Sequence, residues 1–220
     1  MTRLTRQIVH HKTSAVLVLI STVAFAVSPF VTSGFGGFSA DQFLVPQIDP
    51  PVQPSGYTFS IWGVIYLWLI AGAIFGALRA GDNPNWNAMR WPLMTSLIIG
   101  CFWIAAANYA PIWATVMILI MAATAIASML RAGDKHPWMQ VRPVALYAGW
   151  LTAASGVATG VILGGFGVLT SQAAAILCLV SVFVVAHAVQ SRRPREWCYP
   201  AAIVWALIGV IAANLPSSNW

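Results

Sequence analysis

Charge is nearly missing from this sequence. Its 220 residues include 11 Lys and Arg and 5 Asp and Glu, 7% of the chain, where a soluble domain carries roughly 25%. Hydrophobic residues make up 59%. That balance excludes a soluble globular domain and points to a polytopic membrane protein. The predicted spans themselves contain no Asp, Glu, Lys or Arg. Ion-coupled transporters, proton pumps and voltage sensors keep such groups within the membrane for function, so these classes are set aside. A retinal Schiff base also fails, for want of a lysine in any span. Cysteine is scarce too: Cys101, Cys178 and Cys198 lack paired spacing and read as small core residues, not as a disulfide framework or metal site. No zinc spacing, nucleophile–base pair or phosphate loop is present, so neither a catalytic residue nor a metal ligand is assigned. The net charge of +6 comes without a basic run long enough to track a phosphate backbone, which excludes nucleic acid as a partner.

What is present is a series of long apolar runs. The clearest begins at Pro54-Ser55-Gly56 and runs uncharged from Phe59 to Leu78 before stopping at Arg79. About 20 residues at about 1.5 Å each match a bilayer core of about 30 Å. A first span is expected over Ala15–Val31, bent or ended by Pro29. Further spans are expected from about Pro92 to Asn108, Pro111 to Leu130, Pro143 to Leu163, Val168 to Gln190 and Trp197 to Asn214. The fold class is therefore all-α: one transmembrane helical bundle of seven spans over residues 1–220. Residues 33–56, rich in Gly and Pro, form the longest connection and read as a cover or a passive loop. Residues 80–91 read as a polar connection ending at Arg90 and Trp91. Gly72/Gly76 and Gly156/Gly160/Gly164 make stripes for close helix packing.

The basic residues orient the chain. With the N-terminus in the cytoplasm, all 11 Lys and Arg fall on the cytoplasmic side: Arg3, Arg6, Lys12, Arg79, Arg90, Arg131, Lys135, Arg142, Arg192, Arg193 and Arg195. The positive-inside rule then puts the C-terminus outside, in what is expected to be a bacterial inner membrane, with basic loops against anionic lipid.

Eleven tryptophans remain to be placed. Trp86, Trp91, Trp138, Trp197 and Trp220 lie near span ends and read as interfacial belts. Trp62, Tyr66, Trp103, Tyr147 and Trp150 lie deeper, and Trp62 and Tyr66 share a helix face. Such residues serve either as core or as the wall of a pocket for a flat hydrophobic ligand. His187, the one ionisable group within a span, reads as an interfacial histidine in preference to a haem or chlorophyll ligand.

The order of these features resembles the TspO/MBR family of tryptophan-rich sensory proteins, relatives of the mitochondrial translocator protein. Phe59, Trp62 and Tyr66 look like its second-helix pattern of Phe-Pro…Trp-x-x-x-Tyr, one residue shorter between Phe and Trp. Trp103 is similar to its third-helix tryptophan, and Leu146-Tyr147-Ala148-Gly149-Trp150 to its Pro-Tyr-x-x-Trp. Two family asparagines fall on Gly100 and near Thr159. The resemblance covers residues 14–164 as a five-helix core, with residues 165–220 adding two helices.

It implies a bundle that binds porphyrins, haem-pathway intermediates or sterols beneath the first loop. Phe59, Trp62, Tyr66, Trp103, Tyr147 and Trp150 would line the cavity, and a porphyrin- or haem-type ligand would be bound without a covalent cofactor. The expected role is binding and sensing, not catalysis, with porphyrin breakdown as a minor variant. Two alternatives stand beside it. An accessory subunit would pack through the glycine stripes into a homodimer or larger membrane complex, and a transporter would move such ligands.

Overall fold

The computed structural model describes residues 3–215, with side chains from Lys12 onward. Trp220 and the tail after Leu215 lie outside the described residues, as do the side chains of Arg3, Arg6, His10 and His11. Seven α-helices and no strand occur among the described residues: α1 Arg3–Val31, α2 Ile61–Arg79, α3 Pro84–Tyr109, α4 Pro111–Arg131, α5 Val141–Gly165, α6 Ser171–Gln190 and α7 Cys198–Asn214. Six of them are long and apolar enough to cross a membrane, and α7 is a shorter apolar helix. Its 17 residues reach about 25 Å, the lower limit for a spanning helix.

Local chemistry sets the helix ends. Asn83 caps α3 by accepting a hydrogen bond from Asn85 N at 2.9 Å, with Pro84 in the first turn. Thr170 does the same for α6 through Ala173 N at 3.2 Å. Ala110 and Pro111 break α3 from α4 in a tight hairpin, as expected. Pro29 does not end α1, which continues to Val31. Proline cannot donate to the carbonyl four residues back, but the Ser28 hydroxyl donates to Phe25 O at 2.9 Å and satisfies that group.

Helices α1, α2, α5, α4 and α3 form a closed ring in that order. α6 and α7 pack on the far side of α5, which thereby touches α2, α4, α6 and α7. Small residues permit this crowding. A side chain on Gly149 would strike the Tyr199 carbonyl of α7, and one on Gly156 would strike Val182 of α6. The glycine stripes are thus occupied inside the chain: Gly72 lies against Met139 and Pro143, Gly76 against Trp86, and Gly160 against Val52.

One end of the bundle gathers the basic connections. Lys12 pairs with Asp82 at 3.6 Å and Arg193 with Asp134 at 2.8 Å, while Arg193 also donates to the Leu130 and Ala132 carbonyls that end α4. Arg142 stacks on Trp138 at 4.0 Å.

Two readings of this end are corrected. Residues 84–91 are not a loop, because the Asn83 cap and Pro84 start α3 eight residues before Pro92. Arg90 is therefore inside α3, only 3% exposed. Its guanidinium donates to the carbonyls of Ala80 (2.8 Å), Gly81 (2.9 Å) and Gly76 (3.3 Å) and to Ser14 Oγ (3.3 Å). A buried cation is tolerated here because it closes the carbonyl-rich, negative end of α2. Trp86 is likewise not a belt residue: it is 5% exposed and seated on Gly76. Trp91, Trp138 and Trp197 are exposed, as a belt requires.

Candidate ligand cavity

At the opposite end the ring opens into a cavity of about 250 Å³. Its walls come from α1 (Phe25, Pro29), α2 and its lead-in turn (Phe59, Trp62, Tyr66), α3 (Gly100, Trp103, Ile104), α4 (Ile118, Met121) and α5 (Trp150, Leu151, Ala154). Phe35, from the 32–60 connection, lies across it. A smaller space of about 50 Å³ adjoins it, sharing Phe35, Phe59, Trp103 and Trp150 and adding Phe38, Pro54 and Ala206 of α7.

The aromatic rings hold one another in place. Trp62 and Tyr66, one turn apart on α2, stack at 5.3 Å with planes 18° apart. Phe25 meets both edge-on, at 5.9 and 5.3 Å. Trp150 stands perpendicular to Trp62 at 6.1 Å and to Phe59 at 5.9 Å. Such edge-to-face contacts stabilise by about 0.5–1.5 kcal/mol each, so the wall is preformed. On the other side, Trp103 donates to Ala114 O at 2.9 Å, which fixes its ring across the α3–α4 pair.

Of the six expected residues, five line the cavity: Phe59, Trp62, Tyr66, Trp103 and Trp150. Tyr147 does not. It is fully buried behind the wall, 5.6 Å from Phe25, with its hydroxyl 2.9 Å from Ser96 Oγ. Ser96 in turn donates to Met121 O. Tyr147 and Trp150 share a face of α5, but Tyr147 is one turn nearer the basic end, level with Ser96, and so lies beneath the cavity while Trp150 stands on its wall.

Phe25, Phe35, Ile118 and Met121 are additional wall residues that hydropathy cannot separate from ordinary apolar positions. Gly100 offered one signal. A side chain there would run into the Phe25 ring and Met121 Cε, so the space left by the absent asparagine is filled by phenylalanine.

Within this apolar lining a few polar groups are left over. Trp150 Nε1, on a residue only 2% exposed, has no hydrogen-bond partner among the described residues. Tyr66 brings a phenol to the same lining. The lining holds no histidine, cysteine or charged residue. His187 is exposed on α6, its ring 6.4 Å from Phe183, and takes no part. The arrangement can enclose a flat apolar body and donate hydrogen bonds to an acceptor on it.

The sequence matches the TSPO-like protein family over residues 9–219. The chain belongs to the TSPO-like family. The match runs through α6 and α7, past the 14–164 stretch that carries the motif resemblance, so the last two helices fall within the family's extent. Searches of curated proteins and of solved structures returned no significant match. In this TSPO-like protein the family pattern on α2 and the tryptophans of α3 and α5 meet around one cavity.

Proposed function

We propose that this membrane protein binds a flat, hydrophobic, hydrogen-bond-accepting ligand of the tetrapyrrole class, in a binding or sensory role without catalysis. The observation that carries the reading is the aromatic cavity itself, lined by Trp150, whose buried indole N–H has no partner among the described residues. An unmet buried donor costs about 1–3 kcal/mol, and a ligand acceptor would recover it.

Size bears on the mode of binding. The main space, about 250 Å³, exceeds the roughly 150 Å³ that accommodates benzene but falls short of the roughly 300–1,000 Å³ of drug-sized sites. A tetrapyrrole therefore enters by one edge, uses the adjoining space under Phe38 and displaces Phe35. A sterol-like molecule is the competing ligand class. The glycine stripes on which an accessory-subunit role would rest are occupied within the chain, and the reading of a ligand transporter gains no observation. We further place the basic end in the cytoplasm of a bacterial inner membrane, with the N-terminus inside, the C-terminus outside and the basic connections against anionic lipid.

The test is a titration of the detergent-purified chain with protoporphyrin IX, followed by tryptophan quenching and porphyrin absorbance. Saturable quenching is expected, weakened about fivefold to tenfold by Trp150→Phe, which keeps a ring and removes the donor. Linear partitioning, or an unchanged affinity in Trp150→Phe, would reject the reading.

A further inference from the structure

The long connection between α1 and α2 is held very unequally along its length. Its second half, residues 51–58, is fastened to α7 at three points. Asn214 Nδ2 donates to Pro51 O at 2.8 Å, Ser55 N donates to Gly209 O at 3.0 Å, and Trp205 Nε1 donates to Thr58 O at 2.8 Å. The Tyr57 ring stands edge-on to Trp205 at 5.9 Å. Gly209 must be glycine for this approach, since a Cβ there would overlap the Thr58 side chain and lie 3.0 Å from Pro54 Cβ. Val52 is seated on Gly160 of α5. This segment leads directly into Phe59 and Trp62 on the cavity wall.

The stretch from Ser33 to Gln42 is hydrogen-bonded to the helices at its two ends. Asn108 donates to Ser33 O and Oγ at one end, and Gln42 donates to the Ala107 and Asn108 carbonyls at the other. Between them, none of the backbone groups from Gly34 to Phe38 makes a hydrogen bond among the described residues. Gly34 and Gly36 have open space where a side chain would be, and Gly37 has φ +127°. What holds this stretch in place is side-chain packing alone: Phe35 stands edge-on to Trp103 at 4.8 Å, and Phe38 stands edge-on to Phe43 at 6.0 Å and packs against the core. Phe35 lines both spaces.

We propose that α7 makes residues 51–58 the fixed jaw of the cavity, with Trp205 and Gly209 as positioning residues, and that the ligand enters by displacement of the Gly34–Phe38 segment, with Phe35 as the plug. This rests on the ligand-binding reading above, but the division of labour between the two halves does not need a ligand to exist. Three backbone-directed bonds and a glycine contact resist opening on one side. On the other, the packing of Phe35 and Phe38 closes a glycine-rich segment whose backbone gives up no hydrogen bond when it swings away.

Two measurements separate the parts. The first is amide hydrogen exchange on the full chain in detergent, without ligand. Residues 51–58 are expected to exchange at least tenfold more slowly than 34–38, and Trp205→Phe, which keeps the ring but removes the donor, to accelerate 51–58 about fivefold without changing 34–38. Equal exchange in the two halves, no effect of Trp205→Phe, or an acceleration spread evenly over α5–α7 would overturn the proposal. Gly209→Ala is the second variant and is expected to accelerate the same segment.

The second measurement is stopped-flow binding of protoporphyrin IX. Phe35→Ala is expected to raise association and dissociation rates together. Trp205→Phe is expected to weaken affinity about fivefold through faster dissociation. Unchanged association in Phe35→Ala would overturn the entry route. If the wild-type chain binds no porphyrin, the ligand reading falls, while the exchange experiment still decides the fixed jaw.

Discussion

Arg90→Met removes a buried guanidinium from four acceptors while nearly keeping the length of its stem. Two of the bonds are short, to Ala80 O at 2.8 Å and Gly81 O at 2.9 Å, and two are long, to Gly76 O and Ser14 Oγ at 3.3 Å. Hydrogen bonds to charged groups contribute about 1.5–3 kcal/mol, whereas those measured between membrane helices average about 0.6 and reach about 1.7. Taking the upper membrane value for the two short bonds and little for the long ones gives a loss of about 3 kcal/mol. Relief of the buried charge offsets part of this, while the exposed carbonyl ends of α2 add to it, because little water reaches them. Arg90→Lys should recover about half, since a point charge cannot span carbonyls on two sides as the planar fork does. The assay is reversible unfolding in mixed micelles with increasing sodium dodecyl sulfate, read by tryptophan fluorescence. A loss below about 0.5 kcal/mol for Arg90→Met would refute the argument. It would mean that the α2 carbonyls find other partners.

Two further variants probe the core behind the cavity. Ser96→Ala leaves the Tyr147 hydroxyl buried without its partner, a cost of about 1–2 kcal/mol, but in a Tyr147→Phe background the same change should cost much less. A double-mutant cycle in the same unfolding assay measures that difference, and strict additivity would contradict it. Gly149→Leu forces α5 from the Tyr199 carbonyl of α7 and should destabilise the chain by about 3 kcal/mol or more through overpacking against backbone that cannot yield. The same titration in micelles reads the shift, and a stable Gly149→Leu variant would show that α7 does not pack as described.

Much of the fold was legible because a bilayer imposes simple rules. A run of apolar residues without charge must satisfy its backbone internally, so composition and run length alone require helices, and the Asn108–Pro111 break and the Gly/Pro-rich connection mark where they stop. The deep aromatics could be grouped by helix periodicity, which correctly put Trp62 and Tyr66 on one face.

Periodicity says which residues share a face, but not what each face meets. Tyr147 and Trp150 were indistinguishable as sequence, and only the depth at which the helices around α5 leave a space put one beneath the cavity and the other on its wall. Arg90 read as a loop cation because a charge in a span is costly. Its cost is met by carbonyls at the end of α2, ten and fourteen positions away in sequence, which no local pattern records. The glycine stripes read as faces for close helix packing without a named partner, and the structure supplies the partners: α3 and α5 for α2, and α6 and the connecting segment for α5. Sequence by itself determined the membrane, the helices and the family pattern, because those depend on local hydrophobicity and spacing. The cavity, the buried cation and the fastening of residues 51–58 by α7 depend on distances between residues remote in the chain, and those only the tertiary structure decided.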